Sequence, residues 1–370
     1  MLRRVLPFVV LCLALGGVLL PLRAAAGRAP GDDVLIAQVD AVAAHAIEKA
    51  GAAGLSIAVA RGDRVILDKG YGKADLENGV PATDASIFRI ASVTKQFTAA
   101  AILRLAERGK LSIDDEFTQY VDFPTQGKTV TIRHLLTHTS GIKSYTDVPG
   151  FFETVVTRDL PPEKVLDLVR DLPFEFEPGT KWAYSNTGYH ILGMIIEKVS
   201  GMAYAKYMQD ELFGPLGLTH TRYDVEAEII PGRARGYGLI NDSPANATYI
   251  SMTIPYAAGG LLSTAGDLTR WQLALNSGKV VSADSLRQMT TPAKLSDGSS
   301  TRYGFGVFMD GIDGHPNLMH TGIMPGFNSI LVYFTKEDLT IAVISNSPGA
   351  LAGELAAEIA RGAFGATTPR

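Results

Sequence analysis

A chain of 370 residues, 46% hydrophobic and 19% charged, carries enough apolar material for a large core and is long enough for two domains. A net charge of −4, with no long run of like charge, excludes a nucleic-acid surface built on bulk electrostatics. The single cysteine, Cys12, lies close to the N-terminus, so the rest of the chain has no thiol for a disulfide, a nucleophile or a thiolate metal site.

The first elements are read in chain order. Arg3 and Arg4 precede an uncharged apolar run over 5–22, and Ala24-Ala25-Ala26 supplies a small-residue cleavage pattern. Residues 1–26 are therefore expected to be a signal peptide, which makes the mature protein secreted or periplasmic and leaves it no stable membrane span. The alternative is an uncleaved membrane anchor, although Pro7, Gly16, Gly17 and Pro21 suit a spanning helix poorly. Val34, Leu35, Val39, Val42, Ala46 and Ile47 fall near helical spacing and predict a helix over 33–50. Residues 55–60 and 65–67 flank Gly62-Asp63 and predict a hairpin. A polar loop follows to 85.

Ser92 is expected to open an apolar helix running to about 108. Between 111 and 256 the pattern is helices and loops, with helical candidates over 132–138, 162–170, 188–199 and 203–212. A further helix over 263–275 is capped by Ser263 or Thr264, with Asp267 in its first turn. Strands are predicted over 303–309, 317–320, 327–334 and 339–346, and a closing helix over 351–360. Strands thus lie near both ends and helices in the middle. The fold class is α/β (α+β): an antiparallel sheet built from both chain ends, flanked by helices, with an inserted mainly helical domain. The expected division is 30–85 plus 257–370 for the sheet domain and 86–256 for the helical domain. A cleft between them is a natural ligand site.

Three short motifs carry chemistry. In Ser92-Val93-Thr94-Lys95 the serine and lysine are three apart, so a helix puts them on one face. A serine hydroxyl needs a base to become a nucleophile, and a lysine freed of its proton by burial can be that base. In Tyr184-Ser185-Asn186 the first and third side chains point the same way if the segment is extended. A phenol held partly ionised beside a cation can relay protons, and an amide can bond both substrate and lysine. In His320-Thr321-Gly322 the glycine permits close approach of a substrate, and the next N–H, on Ile323, can serve an oxyanion. Taken singly, each has a plain alternative: a capped helix, a turn, a strand end with a surface histidine.

The ordered set resembles the serine β-lactamase and penicillin-binding-protein superfamily, in the branch holding class C β-lactamases, DD-peptidases, D-aminopeptidases and carboxylesterases. Residues 133–141 (RHLLTHTSG) and 259–268 (GGLLSTAGDL) resemble further segments of that family. The resemblance implies a β-lactamase/transpeptidase-like fold and an acyl-enzyme on Ser92. It makes Lys95 and Tyr184 the proton-handling groups, and Asn186, His320, Thr321, Gly322 and Ile323 the substrate-binding ones. The implied substrate is a small molecule or peptide with a D-amino-acid, β-lactam or ester carbonyl, and no cofactor is implied.

The third motif departs from the Lys-Thr-Gly usual in class C β-lactamases, and a histidine is largely neutral at pH 7. A DD-peptidase, D-aminopeptidase or esterase is therefore expected ahead of a class C-type β-lactamase. The non-enzyme alternative is a catalytically silent peptidoglycan- or ligand-binding protein. His134 and His138, four apart, have the spacing of a helical metal pair but lack an evident third ligand, so no metal is expected.

Overall fold

The structure is a computed structural model that describes residues 31–49, 51–241, 243–348 and 351–365. The expected signal peptide and Cys12 lie outside the described residues. Seven antiparallel strands form the main sheet, in the spatial order Val80–Pro81, Arg64–Asp75, Gly54–Arg61, Leu339–Ser345, Phe327–Phe334, His315–Met324 and Phe308–Ile312. The first and last strands of the chain meet at its centre, where Ile57 pairs with Val343.

Side-chain alternation assigns the two faces. Ile57, Val59, Ile341 and Val343 point to one side and pack under the helices Asp32–Glu48 and Leu351–Ala363. Those helices meet the sheet through Leu35, Val39 and Val42 and through Leu355 and Ile359, at the three- and four-residue spacings of one helical stripe. Ala58, Leu331, Ala342 and Ile344 point to the other side, into a core shared with the central helices. Because both faces are covered, every residue of Leu339–Ser345 is buried.

The helix Thr94–Glu107 runs through that second core and is buried along most of its length. Phe97 stacks on Trp271 with ring centroids 4.1 Å apart and meets the edge of Phe213 at 5.8 Å. Ala99, Ala100 and Ala101 let neighbouring elements approach closely. A helix so held cannot rotate, which fixes the direction of Lys95.

The middle of the chain holds helices, as expected, but also short strands that the sequence pattern does not reveal. Phe88–Arg89, Leu261–Ser263 and Arg222–Tyr223 form a three-stranded sheet, and Tyr237–Ile240 pairs with Ser243–Asn246 in a hairpin. The three-stranded sheet joins Phe88–Arg89 and Arg222–Tyr223, from the expected helical domain, to Leu261–Ser263, from the expected sheet domain. The 303–309 prediction is also displaced: the strand is Phe308–Ile312, and Tyr303 makes only an isolated bridge to Phe308. The 317–320 prediction extends at both ends, to His315–Met324.

Candidate active site

Ser92 sits in a single turn of 3-10 helix, Ala91–Val93, immediately before Thr94–Glu107. Ala91 has φ 44°, a left-handed conformation that strains a residue with a Cβ. It presents Ser92 at the bend, with its amide in the first helical turn, where N–H groups have no helical acceptor. Two neighbours hold this bend. The Ile90 N–H donates to the Leu261 carbonyl at 3.0 Å, and the Ser329 hydroxyl donates to the Ile90 carbonyl at 2.7 Å.

Lys95 is fully buried, and its ammonium nitrogen meets three oxygens: Ser92 Oγ at 3.0 Å, Asn186 Oδ1 at 2.9 Å and the Ala258 carbonyl at 2.7 Å. Burial holds its pKa well below the ordinary lysine value. A neutral amine has two hydrogens and one lone pair. Donating to Asn186 and Ala258 leaves the lone pair for the Ser92 hydroxyl proton, and that is the arrangement a general base requires.

Tyr184 closes the other side, with its ring centroid 4.9 Å from Lys95 Nζ. Burial pushes its phenol above the ordinary tyrosine value, and the hydrogen bond with Ser92 pulls weakly against it. The expectation of a partly ionised Tyr184 is therefore corrected. Burial lowers the lysine and raises the phenol, and both shifts favour an amine beside a phenol over an ammonium beside a phenolate. Asn186 starts the helix Asn186–Ser200, behind the N-cap Ser185, whose side chain accepts from the Gly188 N–H. Its Nδ2 donates to Thr146 Oγ1 at 3.3 Å, which turns Oδ1 toward Lys95.

His320 also requires correction. The strand-edge residue expected to meet substrate, and to be largely neutral at pH 7, is 1% exposed; burial, with Lys95 nearby, takes its pKa down to about 3, which keeps it neutral, so what changes is its exposure. Nδ1 lies 2.6 Å from the Thr321 carbonyl, which can only accept, so the proton is on Nδ1. Nε2 then accepts from the Tyr303 hydroxyl at 3.0 Å. Both ring nitrogens are occupied. Thr321 contributes its carbonyl to this arrangement. Gly322 is required by space: a Cβ there would stand 2.2 Å from the Ile90 oxygen and 3.0 Å from the Ser92 nitrogen. Ile323 lines one small cavity with Ser92 and Asn186. The neighbouring strand, Phe308–Ile312, pairs with residues 315–319 only, so 320–324 has no partner on that side.

Three contributors have weak or no sequence signals. Ala258 acts through a backbone carbonyl, which leaves no residue signature. Tyr303 holds His320 from a loop 17 residues away. His138 carries the spacing of a metal pair, but the two rings part. His134 Nδ1 accepts from the Thr131 N–H in a helix cap, whereas His138, at φ 59°, turns into an aromatic cluster 4.3 Å from Tyr184 and 4.6 Å from Tyr303. His138 Nδ1 accepts from the Ser185 N–H at 3.1 Å and its carbonyl accepts from the Ala183 N–H at 3.0 Å, so it grips the backbone on both sides of Tyr184. His138→Asn keeps an acceptor at the δ position and tolerates the left-handed backbone, so kcat/KM should stay within about tenfold of the parent. His138→Leu removes the acceptor, and misplacing Tyr184 by an ångström costs about 10²-fold. Parallel kinetics and melting curves check this; two equally active variants would show that the grip is irrelevant.

A wider groove of about 470 Å³, lined by Arg133, His134, Arg287, Lys294 and Phe305 among others, contains none of the motif residues.

Comparison with known proteins gives this geometry its class. Residues 39–364 match the family model described as Beta-lactamase. The chain belongs to the Beta-lactamase family, and it is a serine hydrolase of the β-lactamase and penicillin-binding-protein type. It is 32% identical over 301 residues to PbpX of Bacillus subtilis (strain 168), named as a penicillin-binding protein, covering 80% of this chain and 71% of that one. It is 28% identical over 316 residues to protein flp of Staphylococcus aureus (strain MRSA252), covering 84% of this chain and 62% of that one, less than two thirds of its length. Among solved structures, the penicillin-binding protein homologue of Pyrococcus abyssi superposes with a TM-score of 0.79 at 29% identity, over 89% of this chain and 77% of that one. The D-amino acid amidase of Ochrobactrum anthropi gives a TM-score of 0.79 at 25% identity, over 90% and 99%.

Proposed function

We propose that the protein hydrolyses amide or ester carbonyls through an acyl-enzyme on Ser92, as an exported DD-peptidase-, D-aminopeptidase- or esterase-like enzyme. The observation that carries the reaction is the buried Lys95, whose lone pair is left for Ser92 once Asn186 and Ala258 have taken its two hydrogens. Ser92 Oγ attacks the carbonyl carbon while Lys95 takes the hydroxyl proton. The oxygen that gains charge lies against the amide N–H groups of Ser92 and Ile323. The tetrahedral intermediate then expels the alcohol or amine, which leaves with a proton passed from Lys95 through Tyr184. Water attacks the ester so formed, Lys95 takes its proton in turn, and the carboxylic acid departs as Ser92 is restored. Asn186 holds Lys95 and meets the substrate beside it.

Support for the substrate range comes from the relatives, one named as a penicillin-binding protein and one structural neighbour as a D-amino acid amidase. Export rests on the Arg3-Arg4, apolar and Ala24-Ala25-Ala26 pattern of the N-terminus. The test is a panel given to the purified mature protein: a chromogenic cephalosporin, a short-chain p-nitrophenyl ester, a D-amino acid amide and a D-Ala-D-Ala peptide. The ester or one of the D-amino-acid substrates should turn over faster than the cephalosporin. A cephalosporin rate well above the others would make the enzyme a β-lactamase instead.

A further inference from the structure

We infer that the acyl group this enzyme accepts is apolar and uncharged, and that the pocket lacks partners for a carboxylate or an ammonium carried on that acyl chain. This rests on the Ser92 acyl-enzyme reading and narrows it to esters and N-acylated peptides, away from free D-amino acid amides.

The cavity beside Ser92 holds about 100 Å³. Its walls include Phe151, Phe152, Ile250, Ile254, Ile323 and Met324, and no Lys, Arg, Asp or Glu lines it. The polar groups that do reach it are bonded within the protein, apart from one Asn186 Nδ2 hydrogen that suits a neutral substrate oxygen. The Tyr145 hydroxyl donates to the Ile254 carbonyl at 3.2 Å, Thr146 accepts from Asn186 Nδ2, and Asn186 Oδ1 accepts from Lys95. An apolar cavity of about 150 Å³ accommodates benzene, so one of this size takes a chain of about four carbons. Two large apolar side chains of the lining, Phe152 at 57% and Ile323 at 64%, are also among the most exposed on the molecule. They continue the apolar surface outward, which is where a longer acyl chain or an apolar leaving group would rest.

The cations around the cavity are engaged and offer nothing to a substrate carboxylate, and the carboxylate next to the lining, Asp147, accepts from Thr146 Oγ1 at 3.4 Å and lies outside the cavity wall. His320, the first residue of the third motif, has Nδ1 on the Thr321 carbonyl and Nε2 on the Tyr303 hydroxyl. Without breaking one of these bonds it has no hydrogen to offer a carboxylate. Lys95 already meets three oxygens and tends to the neutral form. The nearby cation Arg89 is paired with Asp224 at 2.8 Å and Glu226 at 3.0 Å. Lys143 lies 3.6 Å from Glu175. A charged acyl group would lose water here and find no counterion, a cost that neutral substrates avoid.

Three esters of one leaving group and one acyl length test this: p-nitrophenyl butyrate, p-nitrophenyl hydrogen succinate and p-nitrophenyl 4-aminobutyrate. Nitrophenol release gives kcat/KM, and mass spectrometry gives the extent of Ser92 acylation. The butyrate should exceed both charged esters by at least about 10²-fold, the scale set by an unpaired charge in an apolar site. Ile323→Lys, a change at an exposed side chain, should raise the succinate rate at least tenfold relative to butyrate. Equal rates for the three esters, or a charged ester preferred, overturns the inference. So does failure of all three to acylate a Ser92 that an ethyl fluorophosphonate probe labels. A protein whose Ser92 the probe does not label contradicts the acyl-enzyme reading itself, so the two failures are distinguishable.

Discussion

Ser92→Ala should lower kcat/KM by at least about 10⁴-fold, the scale on which removal of a serine nucleophile acts, with the melting temperature nearly unchanged. The expectation of intact folding follows from the contacts. The Ser92 hydroxyl donates to the Lys95 lone pair and hydrogen-bonds Tyr184, and Lys95 keeps Asn186 and Ala258 when it is gone. Ser92 is partly exposed, so the deleted oxygen leaves no sealed cavity. The bend at Ala91–Val93 is held by the Ile90 bonds to Leu261 and Ser329, not by the hydroxyl. Substrate KM should change little, because the amide groups and the apolar walls remain. A variant retaining a tenth of parental activity on a pure sample would place the nucleophile elsewhere.

Lys95→Met should lower kcat by about 10³-fold, within the range general-base catalysis supplies. Methionine fills the lysine volume and suits the buried site, but it cannot take the Ser92 proton. It also leaves the Ala258 carbonyl and Asn186 Oδ1 without their donor, so a loss of about 1–3 kcal/mol in stability should accompany the kinetic effect. The pH profile separates the two causes. Lys95 works as a base only when neutral, so kcat/KM rises with pH through its folded pKa. Burial holds that value well below the ordinary lysine range, so the plateau is reached at a pH where an exposed lysine would still be charged. Lys95→Met should abolish this limb. His320, at about 3, is neutral throughout the range from about pH 5 to 9 and should contribute no limb of its own. A wild-type limb that persists in Lys95→Met would assign the base to another group.

Local spacing made some of this site legible and left some of it hidden. Ser92 and Lys95 were readable because three residues nearly complete a helical turn, and the largely buried helix Thr94–Glu107 then holds that geometry. Tyr184 and Asn186 were readable as a pair, but for an incomplete reason. The segment is extended only up to Ser185, and Asn186 already belongs to the next helix. The sheet from both chain ends was visible because its strands are long and apolar. Phe88–Arg89 and Arg222–Tyr223, two residues each, have no periodicity to read.

Ionisation was the least legible property. The charge state expected for Tyr184 assumed a charged lysine beside it, whereas His320 is neutral as expected, but through burial rather than through its ordinary value in water. The folded chain removes the water and, for His320, supplies Tyr303 from a position no spacing rule connects and turns Nδ1 onto the carbonyl of the adjacent Thr321. Likewise, His134 and His138 share a helical interval, yet His138 lies beyond the helix Ile132–Leu136, and its left-handed backbone sends its ring to Tyr184.

The central claim is a covalent intermediate on one serine, and trapping it tests that claim most directly. The mature protein is mixed with p-nitrophenyl butyrate or the fluorophosphonate probe, quenched in acid, digested and mapped by mass spectrometry. A single adduct on the peptide containing Ser92, absent from Ser92→Ala, is the predicted result. Turnover with the adduct on another residue, or an equal adduct in Ser92→Ala, would contradict it.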